Sequence, residues 1–576
     1  MRFYKKLIII INFQILDYSR FILPIKRLGL LLYFFISSFV AFSQNLQTGV
    51  PILEESIRRG QLLGKVTYPI SFLSRPIDFG KMQSEAEDIL GSRFLRIGNE
   101  QDSLDSSDLN ERKFKFLLLP LFSVSGVNAG APYPEVSNLI LAGGFQTYLS
   151  TGFYTSLGPL SIQIQPELIF AENREYETGL LKSTNVEYLE RFGSRSYSKI
   201  LPGQSSIRLN FGSFSLGAST ENIWWGPGQF NSLLFSNNAF GFEHLTLNTR
   251  KPAKTFLGSF EGQIIVGKLE ESEFVEDNPT IPVNDWRYLN GFTFSYQPKW
   301  IPGLYVGASR VFQQYNSFRG DSFSDYFPIF NGFQKERLIE GQVDSGLFDQ
   351  EGRSQQVTFF ARFFNIKAKT ELYFEYGRRD HAVNWREAVL NPEHARAYLV
   401  GFTKLVPIPN GDHIQIRGEV LQQQESINII VRYPGTSGSL NWSGHGIVRH
   451  GFSNLGQMLG PGIGPSSNIQ TLEAAWIRDV KKLGIRFDRL NRHQDMYVMF
   501  SGSSFLTDKW VDFSLSLLGD WQWNNLLMRS QMNFINSNNY LWQASSNNSS
   551  DFPDGNNMFS IQGQLSLIYF LNKTKN

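Results

Sequence analysis

The 576-residue chain contains no cysteine, so disulfide frameworks, thiol chemistry and cysteine-bound zinc are excluded. Net charge is only +2, which leaves no strongly basic face for nucleic acid. Histidines number seven, and the close pair His445 and His450 meets no metal-ligand spacing. Beyond residue 44 no run of about 20 apolar residues occurs, so no transmembrane helix is expected there. G-x-S-x-G, H-E-x-x-H and phosphate-loop patterns are missing, and no cofactor is implied.

Aromatic residues are abundant instead. They make up 14% of the chain, with 50 Phe and 22 Tyr, while mean hydropathy is −0.22. Many aromatics at modest hydrophobicity suit a transmembrane β-barrel, whose apolar lipid face alternates with a polar lumen and whose rims carry aromatic girdles.

The N-terminus reads as an export signal. Lys26 and Arg27 precede an apolar run from Leu28 to Val40, and "AFS" supplies a small-residue cleavage site before Gln44. The earlier run "KKLIIIINFQIL" suggests that translation starts near residue 25, with a double N-terminal anchor as the alternative. We therefore assign residues 1–43 to the signal region, 44–113 to a helical periplasmic or plug module with its linker, and 114–576 to the barrel. In the module, "PILEESIRRGQLL" predicts an amphipathic helix opened by Pro51. "SEAEDILGSRFLRI" predicts a second, with Ser84 and Glu87 forming a capping box and Arg93 and Arg96 placed late.

From Phe114 onward the pattern has period two. "LSIQIQPELIF" sets Leu160, Ile162, Ile164, Leu168 and Phe170 against Gln163, Gln165 and Glu167, with Ile169 the exception. "SIRLNFGSFSLGAS" and "WVDFSLSLL" alternate in the same way. A soluble sandwich would alternate too. Connection lengths decide between them. Brief links at 156–159, 212–213, 250–254, 298–303, 407–412 and 480–484 alternate with long ones at 171–204, 221–243, 270–287, 315–354, 377–395, 425–469 and 536–557. Such sorting marks an outer-membrane barrel with short periplasmic turns and long outer loops. The fold class is all-β, an antiparallel barrel of about 18 strands with a small N-terminal helical module. In the last strand Phe559, Ile561, Leu565, Leu567 and Tyr569 share a face, though a polar tail follows Phe570.

Three long connections hold unusual residues: "ENIWWGPGQFNSLLFSNNAFGFEHL" at 221–245, "YGRRDHAVNWREAVLNPEHARAY" at 376–398 and "WSGHGIVRHGFSNLGQMLGPGIGPSSN" at 442–468. Trp, Asn, Arg, Asp and His in glycine-rich loops suit carbohydrate, with rings stacking on pyranose faces and planar polar groups bonding hydroxyls. Trp224, Trp225, Trp385 and Trp442 are the expected stacking residues, and Asn222, Asn237, Asn238, Asp380, His381 and Arg386 the expected hydrogen-bonding ones. The tryptophans equally suit an interface girdle, the glycines a rigid turn, and the asparagines left-handed turn positions.

The first of these blocks, with "HLTLNTRKPAKTFLGSFEGQ", "SYQPKWIPGLYVG", "DHAVNWREAVLNPEHARAYLVGF" and "GQMLGPGIGPSSN", resembles the Wzi-like capsule-assembly family in its Bacteroidetes-type version. The resemblance runs from about residue 50 to the end. It implies an 18-stranded outer-membrane barrel with a helical periplasmic module, acting as a non-enzymatic surface lectin. Expected partners are capsular polysaccharide or another surface glycan, outer-membrane lipid and the envelope export machinery, with no nucleic acid. The alternatives are a porin or sugar channel and, behind it, an envelope glycan hydrolase using paired loop carboxylates.

Overall fold

A computed structural model describes residues 45–78, 114–178, 186–274, 285–332, 352–379, 389–390, 392–393, 395–424, 442–501, 509–543 and 557–571. The predicted helix at 84–97 lies outside them.

The wall is a closed antiparallel barrel. Its last strand, Met558–Tyr569, pairs back onto Leu121–Ala129, with Ile561 opposite Ala129 and Tyr569 opposite Leu121. Four wall strands are interrupted. Leu119-Pro120 breaks 114–129, and Pro166 breaks 160–171, because proline cannot donate to the ladder. The stretch 197–211 breaks at Pro202 in the same way, and 144–157 breaks at Thr151-Gly152. Joined across those kinks, and with the short Ala253–Lys254 piece counted with its neighbour, the wall has 18 strands among the described residues.

Alternation resolves into outside and inside. Ile164, Leu168, Phe170, Ile207, Leu209, Leu483, Ile485, Phe487, Leu515 and Leu517 are exposed, whereas Gln163, Gln165, Glu167, Arg208, Asn210, Lys482, Asp488, Asp512, Ser514 and Ser516 are buried. This inverts a soluble protein and matches an apolar solvent outside with polar groups bonded within. Ile169 is inward and belongs to an apolar cluster inside the barrel, which explains the break in alternation. Phe256, Trp300 and Trp523 stand exposed beside short turns, where a girdle is expected.

The short and long connections sort to opposite ends as expected, with two additions. Residues 130–143 and 492–510 are also long connections, and the latter starts a helix, Gln494–Ser501.

The lumen is filled from both ends. The helix Pro51–Leu62 sits near the short-turn end, where Pro51 tolerates the first-turn position. Nearly all of it is buried, including Glu55, Arg58, Arg59 and Gln61. From the long-loop end, 220–243 and 442–467 fold inward. Trp224–Trp225 pairs antiparallel with Ser74–Arg75 of the N-terminal segment, so the two fillings meet.

Candidate functional site

The Gly226-Pro227-Gly228 turn is set by space. Gly226 has φ +105°, and a Cβ there would stand 2.6 Å from Glu375 Oε2. A Cβ on Gly228 would stand 1.9 Å from the Asn231 carbonyl oxygen. The turn's carbonyls accept bonds from the N-terminal segment: Arg58 Nη2 donates to Pro227 O at 2.9 Å and Arg75 Nη2 to Gly228 O at 3.1 Å. Beyond it, the backbone amides of Gln229, Phe230 and Asn231 converge on Glu419 at 2.8, 3.2 and 2.8 Å, and Tyr373 Oη adds a donor at 2.9 Å. A wall carboxylate thus pins the loop by satisfying three backbone donors.

The structure separates the expected sugar-binding residues into groups. Trp225 and Trp442 are 0% exposed. The Trp225 indole donates to Gln263 Oε1 at 2.9 Å and packs edge-on against Phe235. The Trp442 indole donates to Leu233 O at 2.9 Å, and its ring tip lies against Gly377. Their loops fold into the lumen, and their rings build the apolar cluster there and present no open face in this structure. A girdle position is equally excluded for them, since they face away from lipid. Asn222 is also buried, held in a side-chain pair with Gln204 and donating to Ala239 O at 2.8 Å. It braces the loop and presents no free edge to a ligand.

Trp224, Asn237 and Asn238 sit at cavities. One of them, about 140 Å³, lies between the fillings and the wall. Trp224, Asn237, Tyr133 and Phe230 line it, with Glu55, Arg417, Lys482, Arg486 and Arg529. Arg75 stacks over the Trp224 ring at 4.6 Å. Asn238 lines a smaller neighbouring cavity and donates to Met458 O at 2.9 Å. Asp380, His381, Trp385 and Arg386 lie outside the described residues.

A cluster of charges was not anticipated. Glu55 on the plug helix accepts from Arg529 at 2.9 Å, Lys482 at 3.1 Å, Arg59 at 3.2 Å and Gln415 at 2.8 Å, with Arg417 at 3.3 Å. Burial opposes its ionisation, but Arg417, Lys482, Arg529 and Arg59 outweigh it and hold the carboxyl well below its usual range. Nearby, Glu371 accepts from both Arg58 and Arg362 at 2.5 Å. Glu473 shares Arg417 and Lys482 with Glu55. The legible signal was "EESIRR" on one helix and inward charges at period two. The meetings themselves were not legible, since Glu55 and Arg529 are 474 positions apart.

The two histidines considered for metal serve the loop. His445 Nδ1 accepts from the amides of Ile447 and Val448 at 3.2 and 3.0 Å, and His450 Nδ1 meets Tyr315 Oη at 2.9 Å. No group of three or more metal-ligating side chains occurs among the described residues.

Comparison with known proteins now identifies the architecture. The model of the family described as capsule assembly protein Wzi matches residues 128–543. The chain belongs to the Wzi capsule-assembly family. With its apolar outer wall and polar interior, it is an outer-membrane β-barrel. Among solved structures, Wzi of Escherichia coli, an outer-membrane protein involved in group 1 capsule assembly and a carbohydrate-binding β-barrel, superposes with a TM-score of 0.57 at 13% identity. The match covers 92% of this chain and 100% of that one. OccAB2 of Acinetobacter baumannii matches at a TM-score of 0.38 and 8% identity, covering 78% of this chain and 97% of its own. OccK8 (OprE) of Pseudomonas aeruginosa matches at 0.38 and 7%, covering 79% and 97%. No curated protein sequence matches.

Proposed function

We propose that this barrel binds surface polysaccharide and assists capsule or exopolysaccharide assembly or attachment as a non-enzymatic lectin. The observation that carries the proposal is membership in the capsule-assembly family across 128–543. The carbohydrate binding described for the Escherichia coli barrel of like fold supports it. A filled lumen supports a binding surface over a diffusion channel, because the plug helix and two inward loops occupy the path. Four lumen carboxylates, Glu55, Glu371, Glu473 and Asp488, are engaged by Arg or Lys and so are not free to donate a proton as a glycosidase acid must.

The sugar contacts we assign are Trp224 with Asn237 and Asn238 at the inner cavities and, from the sequence alone, Asp380, His381, Trp385 and Arg386. Many weak contacts along a repeating polymer add through multivalency. Outer-membrane lipid surrounds the wall in this reading, and the export machinery that delivers polymer is the remaining partner.

The test is binding of the purified barrel to its host's surface polysaccharide, repeated with Trp385→Ala and Trp224→Ala. We expect weaker binding with heat-resistant folding intact. Unchanged binding in both variants refutes the residue assignment, and no binding by the unmodified protein refutes the function. In cells, deletion of the gene releases polymer into the medium; polymer synthesis that stops, or retention that does not change, contradicts the role.

A further inference from the structure

The described part of one long connection, residues 316–332, lies outside the lumen. Its position follows from the register of the neighbouring strands Arg287–Pro298, Leu304–Tyr315 and Ser354–Asn365. Phe294, Val306 and Phe359 are exposed and mark the outward register. Leu289 and Val311, in the opposite register, lie in the inner apolar cluster with Trp225. By alternation Asn290, Arg310 and Gln355 therefore face out of the barrel. Arg310 stands two residues, about 6–7 Å, beyond the rung on which Ala308 pairs with Phe294 and Phe359.

An outward arginine there would meet lipid, yet Arg310 is 2% and Asn290 0% exposed. Residues 316–332 cover them from outside. Arg310 Nη1 donates to Ile329 O at 3.0 Å and Asn331 O at 2.6 Å, Nη2 to Gly332 O at 3.1 Å, and Nε to Gln355 Oε1 at 2.7 Å. Tyr288 Oη donates to Tyr326 O at 2.5 Å, and Asn290 Oδ1 accepts from the Ile329 amide at 3.4 Å. A capping box at Ser322 and Asp325, with Arg353 on Asp325 at 2.6 Å, stiffens the short helix Phe323–Tyr326.

The other face of this flap is aromatic. Phe323, Phe330 and Phe318 are 70%, 66% and 53% exposed. The Phe323 and Phe330 rings lie within 5° of parallel at 6.4 Å, with Phe327 against both. Arg319 is stacked on Tyr326 at 4.0 Å.

We propose that residues 316–332 form an external flap that inserts Phe318, Phe323 and Phe330 into the outer leaflet at the boundary between headgroups and acyl chains. The occupant is lipid because the flap lies on the outer wall and continues the exposed surface of Phe294, Val306 and Phe359. Its three most exposed rings, Phe318, Phe323 and Phe330, have no hydroxyl or indole donor to offer a sugar, and Tyr326, less exposed at 37%, is stacked under Arg319. Three of its polar side chains, Ser322, Asp325 and Arg319, are engaged with one another or with neighbouring rings and chain, while Asp321 is exposed beside them. The flap thus replaces a polar patch on the wall with an apolar anchor that fixes the depth of the barrel. This inference is independent of the polysaccharide reading, and requires only the outer-membrane location.

The absence of native cysteine makes the test direct. Full-length Phe323→Cys and Phe330→Cys variants are nitroxide-labelled and reconstituted in phosphatidylethanolamine–phosphatidylglycerol vesicles. Phe359→Cys serves as the lipid-facing reference and Asn410→Cys as the water-facing one. Collision with oxygen relative to a water-soluble nickel chelate is read by electron paramagnetic resonance. We expect both flap labels to group with position 359, several-fold above position 410. Grouping with position 410 overturns the proposal, as does protection of the flap labels by polysaccharide in the absence of lipid. Phe323→Ser with Phe330→Ser should leave the fold intact and loosen vesicle association of the flap in hydrogen exchange. Unchanged exchange with and without lipid also overturns it.

Discussion

The two ends of the lumen are filled by different chemistry. At the short-turn end, a helix is held by buried ion pairs: Glu55 among four cations, and Arg58 with Arg362 on Glu371. At the long-loop end, the inward loops are held mainly by aromatic packing and by neutral hydrogen bonds such as Trp225 to Gln263 and Trp442 to Leu233 O. Charged groups enter at a loop's end and turn, with Arg208 on Glu221 and Glu419 under 229–231. An ionic clamp depends on both partners being present, because a lone buried charge is far costlier than a lost contact. An apolar clamp degrades gradually with volume. The plug end should therefore fail abruptly and the loop end progressively.

The largest effect is expected for Glu371→Ala, which strands Arg58 and Arg362 together. A loss of about 3–5 kcal/mol should appear as a lower denaturation midpoint in detergent and faster hydrogen exchange across 51–62, with 220–243 less affected. Trp225→Phe should cost less, about 1–3 kcal/mol, by leaving Gln263 without its donor and a gap beside Phe235. Its exchange signature should be the reverse, confined to 220–243. Equal loosening of both segments in either variant breaks the comparison.

Acid distinguishes the ends more gently. Burial, reinforced by the Arg287 charge, lowers His450 to about 2, and burial with Arg492 lowers His493 to about 3. Both histidines belong to the long-loop end. An unfolded histidine takes up its proton near 6.5, while these resist it in the folded state. Their stabilisation is complete above that value and declines as pH falls below it. Glu55 is also depressed, so its contribution is complete above the ordinary carboxylate range and declines only below about 4.5. Exchange in 442–467 should rise between pH 6.5 and 5 while 51–62 stays protected; simultaneous loosening contradicts the assignment. The smallest effect is expected for Arg478→Ala. The Arg478 guanidinium is half exposed where it meets Asp412 at 2.7 Å, and solvent screening should leave the denaturation midpoint nearly unchanged on its loss.

Much of the wall was legible because lipid outside and polar groups inside impose period two, and because hairpin geometry sorts short turns from long loops. Pro166 and the inward Ile169 disturb a single strand without hiding it. The direction in which a long loop folds was not legible. "IWWGPG" reads the same whether its indoles face a polymer or a core, and only contact with Ser74–Arg75 from the N-terminal segment places Trp225 inside. The Glu55 cluster was hidden for a related reason. Alternation shows that Lys482 and Arg529 point inward, but not that one helical carboxylate reaches both. The flap's position was hidden too, since an outward Arg310 breaks the very pattern that defines the lipid face.

A lumen filled from both ends should carry no ions, so conductance in planar bilayers is the most direct measurement. The unmodified protein should give no steady open current, and Glu371→Ala should introduce intermittent openings as the plug helix loosens. A large, steady conductance from the unmodified protein would contradict the account and favour a channel.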